Sequence, residues 1–157
     1  MLAVTKENVL INVEVDSSGE VIRLLTDLLV KSGCVKGEYA DVVITREEQY
    51  PTGISTAGLP VAIPHGFADD CVLEPSVGAA TLARPVMFRN MFNPDEELAV
   101  GMVFLIALSS KDKNELAKDL ERVMSILPDA DLLSRLYAAK SGVEFAAAMG
   151  SRLEEVP

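Results

Sequence analysis

The chain has a single histidine, His65. An imidazole is the one side chain that acts at neutral pH both as proton acceptor and as nitrogen nucleophile. Its setting is Ala62-Ile63-Pro64-His65-Gly66. Pro64 has no amide proton and a fixed φ, and Gly66 has no side chain to obstruct the ring, so the imidazole reads as presented rather than hidden. A lone loop histidine is more often idle than functional, and the neighbours decide the matter. An imidazole that accepts a phosphoryl group needs a free nitrogen lone pair, room for an in-line donor, and hydrogen-bond donors around three equatorial oxygens. Thr52, Gly53, Gly58 and Gly66 offer a hydroxyl and sterically open amides. Arg46, upstream, can fork onto phosphate oxygens. Other chemistries fit less well. His65, Asp69, Asp70 and Cys71 lack the paired spacing of a zinc site. Cys71 with His65 lacks an orienting third group, and Gly53 to Gly58 is not a GxSxG elbow.

The elements that must hold these residues are legible from periodicity. Ser17 and Glu20 form a capping-box spacing before Val21, Ile22, Leu24, Leu25, Leu28 and Leu29, a helical stripe that stops near Gly33. Tyr39, Val42 and Val43 mark a second amphipathic helix that must end before Pro51, which places Arg46 to Gln49 at its exit. From Pro51 to Gly58 the composition turns to a loop, followed by an extended Pro60-Val61-Ala62-Ile63-Pro64 that delivers His65. Ser76 to Ala83 and Val100 to Leu108 are apolar runs of strand length, the second continuous enough for burial on both faces. A helix beginning near Asn114 carries Leu116, Leu120, Val123, Met124 and Leu127 and closes at Pro128. Asp129 caps a further helix, and Ser141 with Glu144 forms another capping box before Phe145 and Met149. This pattern predicts one α/β domain over residues 1–157, a mixed central sheet flanked by helices.

Composition bounds the partners. Of 157 residues, 49% are apolar and 24% charged, a globular balance, and the formal charge of -10 disfavours nucleic acid as partner. A basic protein partner is favoured instead, with Glu47, Glu48, Asp69 and Asp70 near the histidine loop in sequence. The amino terminus shows no secretory h-region, no apolar run approaches the roughly 20 residues of a membrane span, and Cys34 and Cys71 are widely separated. The expectation is a cytoplasmic protein with reduced thiols.

At this point a resemblance is carried by specific residues. The run Arg46-Glu47-Glu48-Gln49-Tyr50-Pro51-Thr52-Gly53-Ile54, then Gly58, then Val61-Ala62-Ile63-Pro64-His65-Gly66, resembles the phosphorylation signature of the fructose, mannitol and galactitol class of IIA proteins of the sugar phosphotransferase system. The likeness extends over nearly the whole chain. The loop between Thr52 and the histidine is longer than in the mannitol-type form and in that respect is similar to the galactitol-type branch. The resemblance implies a relay. His65 takes a phosphoryl group from the phosphorylated carrier protein HPr and gives it to a cysteine of a IIB domain. A membrane-embedded IIC component completes sugar uptake. It implies that Arg46 holds the phosphoryl group or orients the site, that Thr52 lines the same loop, beside the phosphate-binding candidates Gly53 and Gly66, and that no metal or organic cofactor is used. The alternative expectation is a regulatory module of the same fold, whose phosphohistidine signals to a protein partner.

One departure stands out. Many relatives of this class carry a second histidine at the start of the helix after the long strand. In this chain that position falls near Lys113, with Asn114 adjacent. A lysine brings positive charge to a phosphate but cannot accept a hydrogen bond from an imidazole N–H, so tautomer control at His65 has to come from elsewhere.

Overall fold

The computed structural model describes residues 2, 4–111 and 113–154. Among these residues six strands form one mixed sheet in the order β1-β5-β6-β3-β2, with β4 also beside β6. The strands are β1 (Val9–Val13), β2 (Gly53–Ile54), β3 (Val61–Ala62), β4 (His65–Phe67), β5 (Ser76–Arg89) and β6 (Glu97–Leu108). β5 and β6 pair antiparallel, while β1 on β5, and β3 and β4 on β6, run parallel.

Helices cover both faces. Along β6 the side chains of Met102, Phe104, Ile106 and Leu108 enter one core, closed by α3 (Lys113–Ile126), α4 (Ala130–Ala138) and α5 (Gly142–Glu154) through Val123, Ile126, Leu133, Leu136, Phe145 and Met149. Val103, Leu105 and Ala107 enter the other core, closed by α1 (Ser18–Lys31) and α2 (Tyr39–Gln49) through Ile22, Leu25, Leu29, Tyr39 and Val43. This alternation is the period-2 geometry of a strand buried on both faces, and the expected α/β fold with a mixed central sheet is the observed one.

Capping explains the helix starts. The Ser17 hydroxyl accepts from Glu20 N at 3.1 Å, and Glu20 Oε2 reaches back to Asp16 N at 2.8 Å, one residue earlier than in the standard box. Gly33, at φ +77°, takes the left-handed position after α1. Asp129 and Ser141 cap α4 and α5 as their spacing predicts, accepting from Leu132 N and Glu144 N.

Three differences from the sequence reading have physical causes. β2, two residues long, is too short to stand out and is a strand through its pairing with β3, whereas β1, apolar at four of its five positions, is a strand on β5 that the sequence reading leaves unassigned. β5 continues past Ala83 through Pro85 to Arg89, because a register shift between Thr81 and Val86 removes the proline from the ladder. In α3, Met124 is 38% exposed whereas Asp119 is buried. Met124 lies eight residues beyond Leu116, about 80° around the helix, and the core sits on the opposite flank with Val123 and Ile126.

Candidate active site

The strand that carries His65 is placed by β6. Val61 pairs with Met102 and His65 with Ile106, the same offset, so residues 61 to 67 form one extended path whose ladder is interrupted only at Ile63-Pro64. Pro64 still accepts from Ile106 N at 3.0 Å. β2 covers only Val61 and Ala62, so among the described residues β4 pairs with β6 alone.

Gly66 explains how closely α2 approaches this strand. A Cβ there would lie 3.2 Å from Val42 Cγ1 and 3.5 Å from Val43 Cγ2. The Tyr39 hydroxyl, in the first turn of α2, accepts from Gly66 N at 3.0 Å and lies 2.8 Å from the Ile106 carbonyl, to which it donates. Burial pushes this phenol upward from its ordinary value, so it stays protonated. α2 is thereby pinned against β4 and β6, which fixes where its carboxyl end delivers Arg46.

The His65 ring is half-buried, and its Nδ1 lies 2.8 Å from the carbonyl oxygen of Ile63. A carbonyl only accepts, so Nδ1 carries the proton in the neutral ring and Nε2 keeps its lone pair. This bond supplies the tautomer control that the missing second histidine leaves open. Burial, opposed by the Ile63 bond and aided by the Arg46 charge, lowers the His65 pKa below the ordinary imidazole value. The neutral, nucleophilic ring is the favoured form.

Arg46 lies in the last turn of α2 with its guanidinium carbon 5.0 Å from the centroid of the Tyr50 ring and 5.0 Å from that of Phe67. Its buried Nε has no hydrogen-bond partner among the described residues. Phe67 in turn meets the His65 ring edge-on, centroids 5.8 Å apart at 82°. A guanidinium set against two aromatic rings, one of which also meets the imidazole, is a preorganised cation near His65.

The remaining expected residues sit differently. Thr52 is buried, and both its amide (2.9 Å) and its hydroxyl (2.8 Å) donate to the Glu47 carboxylate. Gly53 lies in β2, where a Cβ would meet the Arg89 carbonyl oxygen at 2.7 Å, so close backbone approach accounts for this glycine. The Gly66 amide is given to Tyr39. The donors of Thr52 and Gly66 are thus engaged inside the protein. Lys113 is exposed as the first residue of α3. Two of the four acidic residues near the loop also turn inward. Glu47 takes Thr52, and Asp69 accepts from Ser110 N at 2.8 Å and from the hydroxyls of Ser110 at 2.6 Å and Ser109 at 3.3 Å, which clips the end of β4 to the segment leading into α3. These Ser110 bonds hold the Asp69 carboxyl below its usual range. Glu48 and Asp70 remain exposed.

Sequence reasoning missed the two aromatic faces, although both had a signal. Tyr50 stands four residues after Arg46, one helical turn on, and Phe67 stands two after His65, on the same side of a strand. The Ile63 carbonyl and the Glu47–Thr52 pair had none, because each depends on where the backbone turns.

Comparison with known proteins identifies the family of the chain. The family model described as "Phosphoenolpyruvate-dependent sugar phosphotransferase system, EIIA 2" matches residues 3–150. The mannitol-specific phosphotransferase enzyme IIA component of Bacillus subtilis is 29% identical over 143 residues, 90% of this chain and 92% of that one. The mannitol-specific EIICBA component of Pasteurella multocida is 28% identical over 144 residues, 85% of this chain and 22% of that one. The chain spans about a fifth of the length of the EIICBA proteins it matches. The crystal structure of IIA mannitol from Escherichia coli superposes with a TM-score of 0.70 at 27% identity, covering 91% of this chain and 96% of that one. The chain therefore belongs to the phosphoenolpyruvate-dependent sugar phosphotransferase system EIIA 2 family, a family of phosphohistidine carriers.

Proposed function

We propose that this protein is the IIA phosphocarrier of a sugar phosphotransferase system, accepting a phosphoryl group from phospho-HPr on Nε2 of His65 and passing it to a cysteine of a IIB domain. The observation that carries this reading is the bond from His65 Nδ1 to the Ile63 carbonyl, which leaves Nε2 as the nucleophile near the ring-supported Arg46. In the first transfer the Nε2 lone pair forms the new N–P bond as the donor's bond to phosphorus breaks. The Nδ1 proton stays in place, and its hydrogen bond strengthens as positive charge develops on the ring. The guanidinium of Arg46 faces the charge spread over the equatorial oxygens. In the second transfer a thiolate forms the S–P bond, the N–P bond breaks, and His65 returns to its neutral state.

The transported sugar is chosen by the membrane component. The relatives described above bear mannitol in their names, which favours a mannitol-type branch over the galactitol-type branch suggested by loop length. Incubation with phosphoenolpyruvate, enzyme I and HPr, followed by mass measurement of the chain, tests the carrier role. Uptake of one phosphoryl group, lost in His65→Ala, is the expected result.

A further inference from the structure

β2 and β3 pair antiparallel with Gly53 opposite Ala62 and Ile54 opposite Val61, which sets Thr52 directly opposite Ile63. The Ile63 amide does donate to the Thr52 carbonyl, at 3.3 Å. In a continuing antiparallel ladder such a pair exchanges both bonds, so the Thr52 amide would return to the Ile63 carbonyl. It does not. The Thr52 amide donates to Glu47 Oε1 at 2.9 Å, the Thr52 hydroxyl donates to the same carboxylate, and the Ile63 carbonyl takes His65 Nδ1 at 2.8 Å.

We propose that Glu47 is a positioning residue for phosphoryl transfer: by holding the Thr52 amide out of the β2–β3 ladder, its carboxylate keeps the Ile63 carbonyl available to His65 and so selects the Nδ1–H tautomer. Glu47 comes directly after Arg46 in the last turn of α2. One helix end therefore supplies both the cation beside the ring and the carboxylate that frees the ring's acceptor. Without the carboxylate, the Thr52 amide is left to seek an acceptor, and the ladder position opposite it is the Ile63 carbonyl. That carbonyl, drawn into the ladder, is shared with or lost to His65. The ring then relaxes toward the Nε2–H form, whose protonated Nε2 is no nucleophile. The acidic residue thus acts through two backbone groups and touches neither imidazole nor substrate.

This inference rests on His65 as the phosphoryl acceptor, but its readout needs no phosphoryl donor, so its failure is distinguishable from failure of the carrier reading. The experiment is imidazole nitrogen NMR on labelled protein, at a pH where His65 is neutral. The wild type is expected to show Nδ1–H as the dominant tautomer. In Glu47→Ala the ratio of Nδ1–H to Nε2–H should fall by about 5- to 10-fold, the effect of weakening one hydrogen bond, with phosphoryl acceptance slowed to match. Glu47→Gln, whose amide oxygen still accepts from Thr52, should keep the wild-type ratio. An Nε2–H wild type overturns the proposal, as does a native-like Glu47→Ala with an unchanged ratio, or a Glu47→Gln that behaves like the alanine variant. If Glu47→Ala fails to fold, Glu47→Asp, whose carboxylate falls one methylene short of Thr52, reads the same ratio. No change there is equally contrary.

Discussion

Phe67 lies between the two groups on which the candidate site depends: its ring meets the His65 imidazole edge-on at 5.8 Å, and the Arg46 guanidinium lies 5.0 Å from its centroid. The Tyr50 ring centroid lies at the same distance from the guanidinium carbon. Arg46 is thus oriented by aromatic rings, with its N–H groups left for an anion.

Arg46→Lys keeps the charge but loses the planar fork and its fit against two rings. Phosphoryl transfer to and from His65 should slow by on the order of 10- to 1000-fold with an unchanged circular dichroism spectrum, the usual consequence of losing one preorganised donor. Phe67→Ala should slow it less, by about 2- to 5-fold, since one partly exposed cation–π contact is worth roughly 0.5 to 1 kcal/mol. Single-turnover rates with phospho-HPr check both. Equal rates for Arg46→Lys and wild type would put the arginine outside the site.

The lowered pKa of His65 sets the pH profile. Its folded value lies below the ordinary value of 6.5, so between the two the unfolded chain binds more protons and stability rises with pH. The stabilising contribution is complete above about pH 6.5 and is lost as pH falls through the folded value. The rate of phosphoryl acceptance should hold its plateau below about pH 6.5 and drop only on further acidification. Arg46→Ala should move the His65 titration upward only in part, because burial is the larger cause. Following the ring C–H resonances against pH reads this directly, and a wild-type midpoint above the ordinary 6.5 would refute it.

Gly53 in β2 and Gly58 in the loop that follows should respond differently to alanine. Gly53→Ala forces a Cβ to 2.7 Å from a backbone oxygen of Arg89 and should cost about 1 to 3 kcal/mol, a drop of several degrees in Tm. Gly58, with no atom within 4 Å of the added Cβ, should tolerate alanine. Thermal melts of the two variants make the comparison. Similar losses at both would show that the loop, and not the close approach of Arg89, demands glycine.

Lys113, the residue near which the sequence reading sets the second histidine of this class, is solvent-exposed. Lys113→Ala should change transfer by less than about 5-fold, in keeping with the small energies of exposed charges. Lys113→His should keep or raise the rate. Abolished transfer in Lys113→Ala would assign the key cation to the lysine.

The helices and the central strand are legible in the sequence because their signals are local. Ser17, Asp129 and Ser141 each cap the helix that begins one residue later, and the unbroken run from Val100 to Leu108 needs two covered faces. His65 and Arg46 are legible through chemistry and spacing. The placement of Thr52 and the glycines is not. Thr52 serves Glu47, Gly53 makes room for Arg89, and Gly66 makes room for Val42, all contacts between segments distant in the chain or across a turn. β1 does carry a local signal, four apolar residues of five in Val9–Val13, which the sequence reading leaves unassigned.

The proposed carrier role places one phosphoryl group on Nε2 of His65. Its most direct test is the mass and chemical stability of the chain after incubation with phosphoenolpyruvate, enzyme I and HPr. One added phosphoryl group is expected, labile in acid, stable in alkali and absent from His65→Ala. A phosphate that survives acid, or that persists in the alanine variant, would contradict it.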